Sequence, residues 1–202
     1  MKNVLLSILV FCMLIPFNAC KKGDDDPFIS LRSRNQRLIG KWKIIESHRT
    51  KERIEVYNYG LSGDTFTDKS NFKDNKGTFA QLFYHEWISH SYEGEAIIEF
   101  KSDGTLLYKE RYIVSTYGED LTTDGNWTWR QTAKSKYSLE ITDIPGLGFG
   151  EIFEGGILNL QRLSHGEITL ESTTKHIIID PKNNGDGTKI NKTVFYRLER
   201  VK

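Results

Sequence analysis

The sequence predicts an all-β domain of about eight to ten antiparallel strands with one or two short helices, a reading that rests on three observations. Apolar and polar residues alternate over short runs: Ala96, Ile98 and Phe100 interleave with Glu95, Glu99 and Lys101. Turn signals rich in glycine, aspartate and asparagine separate these runs at short intervals, as at Ser102-Asp103-Gly104-Thr105. Only one or two stretches carry helical spacing. Such a pattern favours an up-and-down barrel or a sandwich over a parallel architecture, and no internal repeat points to a propeller or solenoid.

The chain opens Met1-Lys2-Asn3, runs apolar from Val4 to Phe17 and reaches Asn18-Ala19-Cys20. A basic start, a short apolar run and a small residue before the cut make residues 1–19 a secretory signal. The run is shorter than the ~20 residues a spanning helix needs. Residues 20–37 read as a tether, with Lys21-Lys22-Gly23-Asp24-Asp25-Asp26-Pro27 a charged, structureless stretch; Phe28 to Leu38 has the makings of one or two helical turns. The folded domain spans 38–202. The chain has 28 basic and 27 acidic residues; residues 1–19 contain one lysine, so the remainder is formally neutral. Neutrality without basic clusters argues against a nucleic-acid partner.

The first strand starts at Ile39-Gly40-Lys41-Trp42. Strict alternation places Trp42, Ile44 and Glu46 on one face and Lys41 and Lys43 on the other. Residues 49–93 are the least regular part. Ile54 to Tyr59 alternates like a strand, whereas Phe79, Leu82, Phe83 and Trp87 fall at helical spacing and favour a helix from Phe79 to Ser89; Leu82-Phe83-Tyr84 also reads as an aromatic strand. After the Asp103-Gly104 turn, Leu106, Tyr108, Tyr112 and Val114 form the return strand, and Tyr117 to Thr123 reads as a break. Asn126 to Arg130 sets Trp127 and Trp129 on one face, followed by a strand at Tyr137 to Ile141 and a glycine-rich corner from Pro145 to Gly150. Ile157 to Leu163 and Glu167 to Ser172 form a hairpin with Leu158, Leu160, Ile168 and Leu170 inward. His176 to Ile179 is a short apolar run, Asn183 to Gly187 a turn, and Lys192 to Val201 the closing strand with Val194, Tyr196 and Leu198 on one face.

Asn18-Ala19-Cys20 resembles the lipobox of bacterial lipoproteins, and the lysine and aspartates after it resemble the export signal of Bacteroidetes-type lipoproteins. Together with Gly40-Lys41-Trp42, the Phe100 to Thr105 hairpin and the closing Phe195-Tyr196-Arg197-Leu198-Glu199-Arg200, the chain resembles the small lipocalin-like lipoproteins of that group. The resemblance implies a lipocalin-like up-and-down antiparallel β-barrel, acylation of Cys20 and a lipid-anchored location in the outer membrane, on its periplasmic face or at the cell surface. It also implies a short helix closing the floor before the first strand, and a C-terminal arginine across Trp42, with Arg200 the candidate and Arg197 the fallback.

Candidate chemistry is sparse. His85 and His90 flank Glu86 as in a zinc-protease motif, but the second histidine is one residue late and points away. Asp180 to Asn191 is faintly like a calcium loop, yet Lys182 and Asn191 stand where oxygen ligands belong. No phosphate loop, serine elbow or reactive cysteine is present, no cofactor is implied, and Glu46, Glu99, Glu110 and Glu140 read as solvated carboxylates. The aromatic supply points instead to a non-catalytic binding module whose apolar or sugar-like ligand enters beneath Phe79 to Trp87 and rests on Phe83, Trp87, Tyr108, Tyr112, Trp127 and Trp129. The alternatives are an interaction subunit of an outer-membrane complex with a filled core, and a hydrolase of surface glycans.

Overall fold

The computed structural model describes residues 34–56, 62–83, 86–131, 137–144, 152–179 and 187–202. The signal segment, Cys20, its tether up to residue 33, His85, the corner at 145–150 and the turn at 183–186 lie outside the described residues. A five-residue helix, α1 (Arg34–Leu38), precedes ten strands: β1 (Gly40–Val56), β2 (Ser62–Lys73), β3 (Lys76–Phe83), β4 (Glu86–Phe100), β5 (Thr105–Val114), β6 (Tyr117–Gln131), β7 (Tyr137–Thr142), β8 (Gly156–Leu163), β9 (Glu167–Ile179) and β10 (Gly187–Arg200). The folded part therefore reaches back into the expected tether, since Arg34 and Arg37 of α1 are buried.

Every pairing is antiparallel, and from β1 to β10 each strand is bonded to the next. β1 pairs along one edge with β10. Its other edge is shared: Gly40–Lys43 pairs with Ile97–Phe100 of β4, and Glu46–Val56 pairs with β2. The lipocalin-like up-and-down β-barrel expected from the sequence is corrected by this fork. Below Ile45, β1 meets β4 directly; above it, the β2–β3 hairpin stands between them, so the sheet is forked and not a simple up-and-down barrel. Alternation reveals strands but not which edges they choose, and α1 is the one helix among the described residues. It is far too short to cross a membrane.

A bulge marks the fork. Ile44 faces Leu198 and Glu46 faces Arg197, leaving Ile45 without a partner on β10. One extra residue reverses which side chains face the core. Trp42 and Ile44 are buried, then Ser47 takes the inner face while Glu46 and His48 turn outward, correcting the expected Trp42-Ile44-Glu46 face. The two-residue β2–β3 turn seats itself in the fork: Asp74 N donates to Ile45 O at 3.1 Å, and Gly94 N donates to Asn75 O at 2.9 Å. Asp74 and Asn75 adopt φ of 52° and 68°, values that aspartate and asparagine tolerate in such tight hairpin turns.

Two further expectations fail for one reason. Phe79 to Ser89 is not a helix but the facing parts of β3 and β4, where Leu82 lies opposite Trp87 and Phe79 opposite His90. The turn expected at Tyr117–Thr123 is two residues long, Ser115-Thr116, and β6 begins at Tyr117. In both places strand pairing satisfies a whole ladder of backbone groups, which outweighs local spacing.

At the lower end the chain is tied by Arg200. Its guanidinium carbon sits 4.3 Å from the centre of the Trp42 ring. Its nitrogens donate to His165 O at 2.8 Å, to Ile39 O at 3.1 Å and to Arg37 O. Trp42 Nε1 donates to Leu38 O at 2.7 Å, and Arg37 donates to Leu163 O. Gly40 holds φ 128°, and a Cβ there would stand 2.6 Å from the Arg200 guanidinium, so glycine is required on both counts.

Arg200→Leu should lower stability by about 2–4 kcal/mol, since it strands carbonyls that now accept from a charged donor. Urea unfolding checks the value, and a loss below about 0.5 kcal/mol would show that the knot is not holding the lower end. Glu46 supplies a pH test. A hydrogen bond from His48 and the charges of Arg197 and Lys73 hold its carboxyl below the ordinary 4.5, against the opposing pull of burial. Its contribution to stability is therefore present above pH 4.5 and lost as pH falls through the lower, folded-state value. Glu46→Gln should be less stable than the wild type at neutral pH, and the two should converge in acid; a gap that persists at low pH would contradict the assignment.

Candidate functional site

The residues expected to line a ligand pocket separate into three groups. Tyr108 and Trp127 are buried, Tyr112 nearly so, and Trp129 is partly buried. Trp127 packs edge-on against Phe100 and Trp129, with centroids at 5.9 and 6.2 Å, and its Nε1 donates to Lys101 O at 3.0 Å. Trp129 Nε1 donates to Asn35 Oδ1, so the two indoles fasten α1 and the β4–β5 turn. Tyr112 donates to Glu119 at 3.1 Å, and its phenol is raised above its ordinary range by burial and by that carboxylate. Trp87 is 49% exposed on the opposite side of the fork, under the ammonium of Lys69 at 4.8 Å from its ring. The side chain of Phe83 lies outside the described residues.

The chain itself occupies the space above Tyr108. The segment leading into β8, Ile152 to Gly155, runs across the inner face with Ile152 and Phe153 fully buried. Phe153 lies between Tyr108 and Tyr196, at centroid distances of 5.9 and 4.6 Å. Its flanking amides are held by buried partners: Ile152 N donates to Glu110 Oε1 at 3.1 Å, and Glu154 N donates to Tyr196 Oη at 3.0 Å. Tyr108 also donates to Glu110. Glu154 turns its carboxylate to Lys192 at 2.5 Å and Arg49 at 3.7 Å. Glu110 is thus not the solvated carboxylate that the sequence suggested. It is buried because the incoming segment needs an acceptor for a buried amide. No periodic pattern around Ile152 marks the segment as an insert; its two large apolar residues between glycines are the signal that could have found it.

The remaining carboxylates are spread over the outer surface. Glu46 pairs with Arg197 at 2.9 Å, Glu99 with Lys41 at 3.8 Å, and Glu140 with Arg130 at 2.6 Å. They do not converge on a shared site. His90 is exposed on β4, and among the described residues no group of three histidine, cysteine, aspartate or glutamate side chains could hold a metal ion.

Two surface features remain. A groove of about 670 Å³ runs along the fork, lined by His48, Asn71, Lys73, Thr78, Glu93 and Ile113 among others. Beneath it Tyr92 lies across Gly77, where a Cβ would fall inside its ring, and stacks on Phe72 at 6.2 Å. Burial pushes the Tyr92 phenol up to about 12. The second feature is the arm formed by β2, β3 and the first six residues of β4. All six are exposed, including Trp87 and Ile88, which alternation puts on opposite faces.

No protein-family model and no curated protein matches the sequence. Two solved structures are distantly similar. One is a polyisoprenoid-binding domain from Saccharophagus degradans implicated in plant cell wall breakdown; it has 6% identity and a TM-score of 0.24, over 79% of this chain and 98% of that one. The other is the InvG secretin domain β-barrel from the Salmonella SPI-1 injectisome NC-base, at 14% identity and a TM-score of 0.18, over 81% of this chain and 62% of that one. Neither likeness shows the expected kinship with lipocalin-like lipoproteins.

Phe153→Ala should cost about 3–5 kcal/mol, the range for removing a fully buried phenyl ring. Chemical denaturation measures it. A cost under about 1 kcal/mol would mean that the segment rests on the inner face without filling it.

Proposed function

We propose that this protein is a non-catalytic interaction module of the cell envelope that recognises its partner with its outer surface. One observation carries the reading: Phe153 fills the space between Tyr108 and Tyr196 where a small apolar ligand would have rested. The exposed indole of Trp87 and the neighbouring Ile88, on the first six residues of β4 that are exposed on both faces, supply apolar contact area of the kind that protein interfaces use. The Asn18-Ala19-Cys20 sequence supports a lipid anchor on Cys20, and with it a place in the outer membrane. Acylation at that position leaves the folded part on a tether, with its upper strands available to a second envelope protein.

The anchor is tested by feeding labelled fatty acid to the native host: the wild type incorporates label and Cys20→Ser does not. The interaction is tested by placing a photoreactive benzophenone amino acid at position 87 in the full-length protein within its own envelope, with position 117 as an exposed control. A discrete cross-linked protein from position 87 alone is the expected result. Absence of any such product, with a reproducible small-molecule mass on the gently purified protein, would overturn the reading in favour of ligand binding.

A further inference from the structure

The bulge at Ile45 has a consequence for charge. Beyond it, the inner face of β1 carries Ser47, Arg49, Lys51 and Arg53 in succession, and three of these are cations. On β10, Lys192 lies directly opposite Lys51, with Val194 opposite Arg49 and Ile190 opposite Arg53. Two lysines facing each other across an antiparallel pair repel and cost stability unless something negative lies between them. Glu154 meets part of that need, bound to Lys192 and Arg49. Asp68, opposite Lys51 on β2, adds a second negative charge and also accepts from Gln81 at 2.9 Å, so two carboxylates answer the four cations Arg49, Lys51, Arg53 and Lys192. Of the other acids of that parity, Glu110 accepts from Tyr108 and from Ile152 N, Glu119 on β6 accepts from Tyr112, and Glu86 is on β4, with β2 and β3 between it and β1. Arg53 lies over the Phe66 ring at 4.6 Å, and neither it nor Lys51 forms a salt bridge among the described residues.

We infer that the inner face of β1 and β10 at their upper end is a binding site for a compact, multivalent anion of the phosphate class, seated among Lys51, Arg53 and Lys192. The carboxylate of Glu154 shows how the site works, since it is an anion already held by the deepest two cations. Cationic side chains on neighbouring strands concentrate their field on the space between them. α1 lies at the other end of β1, roughly 40 Å away along the strand. On the proposed anchoring through the segment before α1, the site lies at the far end from the membrane, which favours a dissolved anion over a lipid headgroup.

The probe is inorganic pyrophosphate, titrated into the full-length protein at constant ionic strength set with sodium chloride, with the melting temperature as readout. A ligand that binds only the folded state raises that temperature in a saturable way. The wild type and the exposed control Lys109→Gln should both respond, whereas Lys51→Gln/Arg53→Gln should not. Glu154→Gln, which removes the carboxylate now bound to Lys192, should shift half-saturation to lower pyrophosphate by on the order of fivefold, the equivalent of one ion pair. Near-UV circular dichroism verifies that each variant is folded, and Arg53→Gln alone replaces the double variant if that one is not. Absence of a saturable response in the wild type, or an equal response in Lys51→Gln/Arg53→Gln, overturns the inference. Sedimentation with phosphatidylglycerol vesicles that outcompetes pyrophosphate would overturn the assignment to a dissolved anion.

Discussion

One unpaired residue, Ile45, divides the molecule. Below it β1 is an ordinary core strand, with Trp42 and Ile44 packed beneath Leu198 and the aromatic floor. Above it the same alternation turns Ser47, Arg49, Lys51 and Arg53 inward. The bulge also falls where β1 exchanges β4 for β2 as its neighbour, and the β2–β3 turn donates a hydrogen bond to the carbonyl of Ile45 itself. An extra residue bends its strand and sharpens the twist, which lets one edge of β1 serve two partners. Fork, turn and reversal of faces are thus one event.

Charges turned toward a core must be compensated, because an uncompensated buried cation is far costlier than a lost apolar contact. The segment from Ile152 to Gly155 meets that condition in part. Glu154 answers Arg49 and Lys192, and Phe153 restores the apolar contact that Tyr108 and Tyr196 would otherwise lack. The buried acceptor Glu110 follows from the same segment, since a chain entering a core brings amides that need partners.

The sequence made legible whatever depends on side-chain period. The strands around Ala96 to Phe100, Leu106 to Val114, Ile157 to Leu163 and Val194 to Leu198 stand where alternation put them, and the Asp103-Gly104 turn has Asp103 accepting from Thr105 N at 2.9 Å. What period cannot reveal is pairing. Glu46 was assigned inward because strict alternation has no place for a bulge, and a fork requires knowing which strand meets which. Phe79, Leu82 and Trp87 satisfy a helical stripe on paper, yet Leu82 and Trp87 face each other from separate strands. Trp127 and Tyr108 are legible as large inward aromatics; whether a ligand or the protein's own Phe153 covers Tyr108 is decided about 45 residues downstream, in a segment that carries no periodic signal of its own.

The two ends of the sheet are built on opposite principles. At the lower end a single cation, Arg200, is fully employed: a ring beneath it, three carbonyls around it, and a glycine that leaves it room. At the upper end four cations share Glu154 and the nearby Asp68, and the strands that carry them extend beyond the buried core. A saturated charge stabilises without inviting anything else to bind. An unsaturated cluster is tolerated at the exposed end, where water screens it, and it retains the capacity to hold an anion from outside. The saturated cation therefore stands at the end of β1 where α1 packs, and the unsaturated ones at the far end, where the strands outrun the buried core.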